Sequence, residues 1–297
     1  MNGILLIDKP AGWTSFDVIG KLRGVLHMRR LGHAGTLDPM ATGVLPVFVG
    51  YATRACGILP DERKAYTAQF RLGCVSNTQD STGSVQETGV SFSHLTAQDI
   101  EHAVPTGETA QIPPMYSAVK VGGKKLYELA RRGEEIERAP RTVYIERVQC
   151  IAFDALTGCG TLEVLCGKGT YVRTLLHDMG QALGCGAVMT GLRRDMACGF
   201  SLASCHTLEA VQACEDPEKL LIPIERAFES LPRVRLSAGE TKRYRNGVKL
   251  PLETLDAPCH GRCSVYGTPD GFLGTAVPSE GFLRIERNLC PPQEACT

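Results

Sequence analysis

No apolar run in this 297-residue sequence approaches the ~20 residues that a membrane-spanning helix needs, and the first hydrophobic stretch, GILLI at 3–7, is cut off by Asp8 and Lys9. A cytoplasmic protein without a signal peptide is expected. C-x-x-C is absent and no histidine stands at finger spacing, although thirteen cysteines are scattered from Cys56 to Cys296. The one loose pair, Cys259 and Cys263, has no second pair to complete a tetrahedral zinc site, so no metal is expected. The phosphate-loop pattern is missing as well. In CGKGTYVR, residues 166–173, Gly169 separates Lys168 from Thr170, which removes the G-x-x-x-x-G-K-[ST] spacing and with it an NTPase. No cofactor of any kind is expected.

Excess charge is also lacking, since 32 Lys and Arg balance 32 Asp and Glu. The balance is uneven along the chain. Residues 72–119 contain no Lys or Arg, whereas 18–37 hold Lys21, Arg23, Arg29 and Arg30 with no acid. Between 233 and 249 stand Arg233, Arg235, Lys242, Arg243, Arg245 and Lys249 against Glu240. Separated basic patches on a neutral protein suit a polyanion whose phosphates are spread over several turns.

What is present is an ordinary globular composition, 43% hydrophobic and 22% charged, in a chain long enough for a large domain plus a smaller one. GILLID at 3–8 reads as a buried strand, followed by a helix capped by Ser15 with Phe16, Ile19, Leu22, Val25 and Leu26 at the helical period. GVLPVFVG at 43–50 reads as a second strand, with Pro46 pointing to an edge or irregular position. KAYTAQFRLG (64–73) alternates like a strand wet on one face, and 96–104 opens a helix on a Thr cap with Asp99 three residues on. The segment around 120–147 carries eight Lys or Arg behind a Gly-Gly turn and looks like a basic excursion from the core. Strands follow at 141–153 and 161–166, a helix at 170–183 ending at Gly184, and a strand at 187–200. After helical stretches over 206–229, short glycine-punctuated strands indicate a small all-β domain from about 232. The fold class is α+β, with a mixed, mostly antiparallel sheet flanked by helices. Residues 1–230 form the main domain, 231–290 the small one and 291–297 a flexible tail.

The stretch GHAGTLDPMATG at 32–43 contains one carboxylate, Asp38, directly before a proline. Asp-Pro alone is the favoured opening of a type I turn. Yet Gly32, Ala34, Gly35, Ala41 and Gly43 strip side chains from both flanks, which a decorative turn does not require and which would let a planar ligand reach the backbone and the acid.

GILLIDKPAGWTSFDVIGKLR with GHAGTLDPMATGVLPVFVG resembles the N-terminal half of the TruB family of tRNA pseudouridine synthases. RKAYTAQFRLG resembles that family's tyrosine strand, IPPMYSAVKVGGKKLYELARRG its central motif, and CGKGTYVRTLLHDMGQALGCGA with GLRR its arginine segment. The resemblance implies the pseudouridine synthase fold with a small C-terminal PUA-like domain that binds RNA. It implies isomerisation of the T-loop uridine at tRNA position 55: the N-glycosidic bond breaks, the flipped-out uracil turns and rejoins through C5. Asp38 would be the catalytic carboxylate, adding to ribose or base or drawing a sugar proton so that a glycal forms; these routes stay open. Arg173 would pair with Asp38, and Tyr66 would stack on the uracil and serve as a candidate base. Tyr171 and Leu192 would wall the pocket, His33 would fill the space the base leaves, and Lys9 would contact RNA or the site. The partner would be tRNA through its T-arm and elbow, with no obligatory protein partner and a monomeric enzyme. The rival is a non-catalytic protein that grips or folds the tRNA elbow with the same patches. A glycosidase would want two carboxylates flanking the bond, and the motifs offer one.

Overall fold

The computed structural model describes residues 1–255 and 259–291, so all of the expected tail but residue 291 lies outside the described residues. In chain order the first elements are β1 (Gly3–Lys9), α1 (Ser15–Val25), β2 (Leu31–His33) and β3 (Thr42–Val49). Next come β4 (Lys64–Leu72), β5 (Cys74–Ser76), β6 (Val85–Glu87), α2 (Ala97–His102), β7 (Gly107–Gln111), β8 (Lys120–Val121), β9 (Lys124–Lys125) and α3 (Leu126–Ala130). They lead into β10 (Arg141–Asp154), β11 (Cys159–Cys166), α4 (Val172–Ala182), β12 (Ala187–Ala197), β13 (Phe200–Ser201) and α5 (Leu208–Ala213). The last are β14 (Arg233–Leu236), α6 (Ala238–Arg245), β15 (Leu250–Pro251), β16 (Cys263–Gly267), β17 (Gly271–Ser279) and β18 (Phe282–Asn288). Two compact units emerge, one of residues 1–39, 44–62 and 198–297, the other of 40–43 and 63–197.

In the first unit, α1 begins one residue earlier than its hydrophobic period suggests. Thr14, not Ser15, is the N-cap: its Oγ1 accepts from Asp17 N at 3.0 Å while Thr14 N donates to Asp17 Oδ2 at 2.8 Å. The inner face of the helix buries Val18, Ile19, Leu22 and Leu26 against Leu5 and Ile7 of β1 and Leu45, Val47 and Val49 of β3. At ~1.5–3 kcal/mol for each fully buried aliphatic side chain, that stripe fixes the helix on the sheet. Phe16, counted with the stripe in the sequence, is instead 67% exposed. The edge position expected from Pro46 is corrected, because β3 has β1 on one side and β2 on the other. Pro46 has no N–H to give to a ladder, but its carbonyl pairs, accepting from Ala34 N at 3.1 Å.

The C-terminal part of this unit is a five-stranded sheet in the order β14-β16-β17-β18-β15, built around Val234, Leu236, Val265, Leu273, Ala276 and Leu283. One helix interrupts the all-β pattern: α6, whose capping box of Ser237 and Glu240 carries Lys242, Arg243 and Arg245 in its last turn. Among the described residues no three His, Cys, Asp or Glu side chains converge as metal ligands, and the thiols of Cys259 and Cys263 lie 3.1 Å apart in that core.

The second unit is a sheet in the order β12-β4-β11-β10-β7, antiparallel throughout, with Thr42 and Gly43 pairing parallel to Arg193 and Arg194. Alternation along β4 puts Tyr66, Ala68, Phe70 and Leu72 on the buried face. The basic excursion is shorter than 120–147, since Val143 and Ile145 are buried and draw 141–147 into β10. What remains is the β8–β9 hairpin and α3, with a small core of Met115, Leu126 and Leu129. α4 starts at Val172 rather than Thr170 and stops where Gly184 takes φ +75°.

Candidate active site

Asp38 sits half-buried between two residues whose backbones are pinned. On its N-terminal side, Leu37 N donates to Ser15 Oγ at 2.9 Å and Ser15 Oγ donates to Leu37 O at 3.3 Å. On its C-terminal side, the Pro39 carbonyl accepts from Gly12 N at 2.8 Å and from the Lys9 ammonium at 3.3 Å. Because Thr14 caps α1, the Ser15 hydroxyl is released for this work. The Lys9 side chain is 0% exposed and also donates to Pro10 O at 2.8 Å and Trp13 O at 2.7 Å. A buried ammonium needs such acceptors. A wholly enclosed side chain holding three carbonyls braces the loop. His33 ends β2, half-buried, five residues before Asp38.

Arg173, in the first turn of α4, is the hub of the second unit. Its guanidinium donates to Thr78 O at 3.1 Å and Tyr116 O at 2.8 Å and lies 3.6 Å from Asp80, with both charged side chains 5% exposed. A planar guanidinium spreads five donors over a wide fork, so it can span acceptors set further apart than one ammonium can reach. Asp80, absent from the sequence reasoning, is itself held: Oδ1 accepts from Thr78 Oγ1 at 2.7 Å, Thr82 N at 3.0 Å and Thr82 Oγ1 at 2.5 Å. Its neighbour Gln79 adopts φ +64°, and that left-handed turn is fastened by Thr174 Oγ1 donating to Gln79 Oε1 at 2.8 Å. Gln111, also missed, holds the backbone of Tyr171, the residue that caps α4.

Tyr66 and Leu192 share one sheet face. Cross-strand register sets Tyr66 opposite Arg194 and Ala68 opposite Leu192, while Phe70 faces Met189. A strict period of two from Met189 would put Gly191 on that face. The register shift between Met189 and Gly191 inserts one residue and brings Leu192 there instead. Gly43 meets the backbone of Arg194 so closely that a Cβ would lie 2.2 Å from its carbonyl oxygen, and its φ is +99°. Only glycine fits. Tyr66, Tyr171, Arg173 and Leu192 therefore belong to one compact unit, and Asp38, His33 and Lys9 to the other.

Known proteins give this geometry a family. The model for the TruB family pseudouridylate synthase N-terminal domain matches residues 23–172, and that for the tRNA pseudouridylate synthase B C-terminal domain matches 173–229. tRNA pseudouridine synthase B of Ralstonia nicotianae is 41% identical over 298 residues, covering 97% of this chain and 94% of its own. The enzyme of the same name from Syntrophotalea carbinolica is 44% identical over 290 residues, with coverages of 94% and 93%. Among solved structures, the crystal structure of a Cbf5-Nop10-Gar1 complex superposes with a TM-score of 0.72 at 25% identity, covering 97% of this chain and 85% of that one. Sequence and fold thus agree: the chain belongs to the TruB family of pseudouridylate synthases, enzymes of the isomerase class.

Proposed function

We propose that the protein converts the T-loop uridine at position 55 of tRNA to pseudouridine, as a cytoplasmic monomer that needs no cofactor, with Asp38 as the catalytic carboxylate. The observation that carries the reading is the mounting of Asp38, a partly accessible acid between two residues fixed by Ser15, Gly12 and Lys9. A surface turn needs no buried lysine beneath it. The relatives' shared name, tRNA pseudouridine synthase B, supports tRNA as the substrate.

The reaction is internal to one nucleotide: C1′–N1 breaks, the uracil turns, C1′–C5 forms, and the proton on C5 leaves as N1 gains one. A stacked base is beyond the reach of any side chain, so the uridine must leave the T-loop at a cost of a few kcal/mol. His33, on the strand before the Asp38 loop, takes the vacated space. Tyr66 stacks on the extruded uracil and removes the C5 proton, while Leu192, on the same sheet face, and Tyr171 wall the base. Arg173 pairs with Asp38 and keeps it ionised in an apolar pocket that would otherwise favour the neutral acid. The basic hairpin and α3, where the Tyr127 ring has Lys125 at 5.5 Å and Arg131 at 5.5 Å, offer an aromatic and cationic surface to the RNA backbone.

Incubation with an unmodified tRNA transcript and with the isolated T-arm hairpin, followed by mapping of pseudouridine, tests the reading. Modification at position 55 alone, in both substrates, is expected. Tight binding without product would favour a tRNA-folding protein, and product at other positions would remove the site assignment.

A further inference from the structure

The aromatic wall that Tyr171 provides is set by a residue outside the pocket. Gln111 is the last residue of β7, paired there with Arg141 of β10, and its side chain is 3% exposed. Beyond it the strand ladder stops, but the primary amide continues the same pattern of bonds onto α4. Gln111 Oε1 accepts from Tyr171 N at 2.8 Å, and Gln111 Nε2 donates to Tyr171 O at 3.1 Å. This two-point clasp fixes one amino-acid unit in orientation as well as position, as a single hydrogen bond could not.

Tyr171 is a poor N-cap by chemistry. Its side chain makes no capping bond, at φ −98° and ψ 107°, so nothing in its own residue type holds the start of α4 in place. Its carbonyl also accepts from Leu175 N at 3.0 Å, so the clasp acts on the point from which the helix is launched. Five residues beyond Gln111, the Tyr116 carbonyl accepts from Arg173 at 2.8 Å. The segment 111–116 is therefore stitched to the head of α4 at both ends, once through Tyr171 and once through Arg173.

We infer that Gln111 is a positioning residue for the isomerisation, whose side-chain amide clasps the Tyr171 backbone and thereby aims the Tyr171 ring at the reacting base. The inference rests on the proposed placement of Tyr171 in the uracil pocket. It assigns Gln111 no contact with substrate. Among side chains that carry a donor and an acceptor in one plane, Asn is a methylene too short for the same span. Glu presents two acceptors when ionised and sets one of them against the Tyr171 carbonyl.

The test is a rate cycle on full-length protein with unmodified tRNA, measuring pseudouridine formation under saturating and subsaturating conditions for wild type, Q111L, Y171L and the double variant. Q111L is expected to lower kcat about 10-fold, on the scale of losses from sub-ångström misplacement of a reacting group, with KM unchanged within 2-fold. On the Y171L background, where no ring is left to aim, Q111L should lower kcat by less than 2-fold. A merely structural glutamine would not produce that non-additivity. Q111E, closer in shape, runs the same cycle should Q111L fail to fold, and melting midpoints separate folding from rate. The inference is overturned if the full Q111L factor persists on Y171L, if only KM moves, or if Q111L reacts as fast as wild type. Absence of pseudouridine from the wild type itself would instead overturn the functional reading.

Discussion

Replacing Ser15 by Ala separates helix capping from the mounting of Asp38. The Ser15 side chain is 1% exposed, and its hydroxyl bonds Leu37 N at 2.9 Å and Leu37 O at 3.3 Å. Removing it orphans a buried backbone donor at ~1–3 kcal/mol, offset by ~0.5 kcal/mol because Ala is the better helix former. The net loss is about 0.5–2.5 kcal/mol. Thr14→Ala is the matched control: it removes the N-cap for ~1 kcal/mol but leaves the Leu37 bonds alone. The two variants should thus melt at similar temperatures yet differ in rate. A loop displaced by about 1 Å can cost up to ~10²-fold in rate, so Ser15→Ala should slow single-turnover pseudouridine formation at least ~10-fold while Thr14→Ala stays within ~3-fold. Stopped reactions on radiolabelled tRNA, with melts on the same preparations, give both numbers. Equal rate losses for equal stability losses would refute the idea that Ser15 holds the Asp38 loop.

Asp80→Asn should lower stability by about 3 kcal/mol, the low end for breaking a buried charge pair, in denaturant unfolding at neutral pH. Arg173→Lys should abolish product without abolishing tRNA binding, because one ammonium cannot reach Thr78 O, Tyr116 O and Asp80 together; wild-type turnover in that variant would contradict the hub. Gly43→Ala should yield little folded protein, since its Cβ would lie 2.2 Å from the Arg194 carbonyl at a φ that alanine rarely adopts. The C-terminal sheet should melt more easily in alkali. Burial, then the neighbouring Cys259, pushes the Cys263 thiol up to about 12, and burial likewise raises the Tyr244 phenol. Folded values above unfolded ones mean that the Cys263 contribution to stability is complete below pH ~9 and the Tyr244 contribution below pH ~10, each declining above that by ~1.4 kcal/mol per pH unit. A melting midpoint that stays flat from pH 8 to 11 would contradict this.

The apolar stripe of α1, Phe16 excepted, and the alternation of β4 follow from side-chain period and stand in the structure as the sequence implies. Long-range partners were less legible. Ser15 looked like the cap because serine commonly is one, but Thr14 with Asp17 three residues on is the stronger capping box. The three carbonyls that Lys9 holds lie at Pro10, Trp13 and Pro39, and only the fold brings the last of them to it. Leu192 owes its sheet face to a bulge, which a period of two cannot encode. Asp80 left one usable signal. It stands in the Lys- and Arg-free stretch 72–119, so once buried it had to borrow its counter-charge from another element, and Arg173 supplies it. Gln111 left none, because its role is to grip a backbone sixty residues away.

Asp38→Asn preserves the shape of the side chain and the pinned residues beside it while removing the charge. Single-turnover pseudouridine formation and tRNA binding, measured side by side on this variant, test the central claim most directly. Binding within about 3-fold of wild type with no product above background is the expected result. Pseudouridine appearing at the wild-type rate would show that the carboxylate is not what unfastens the base.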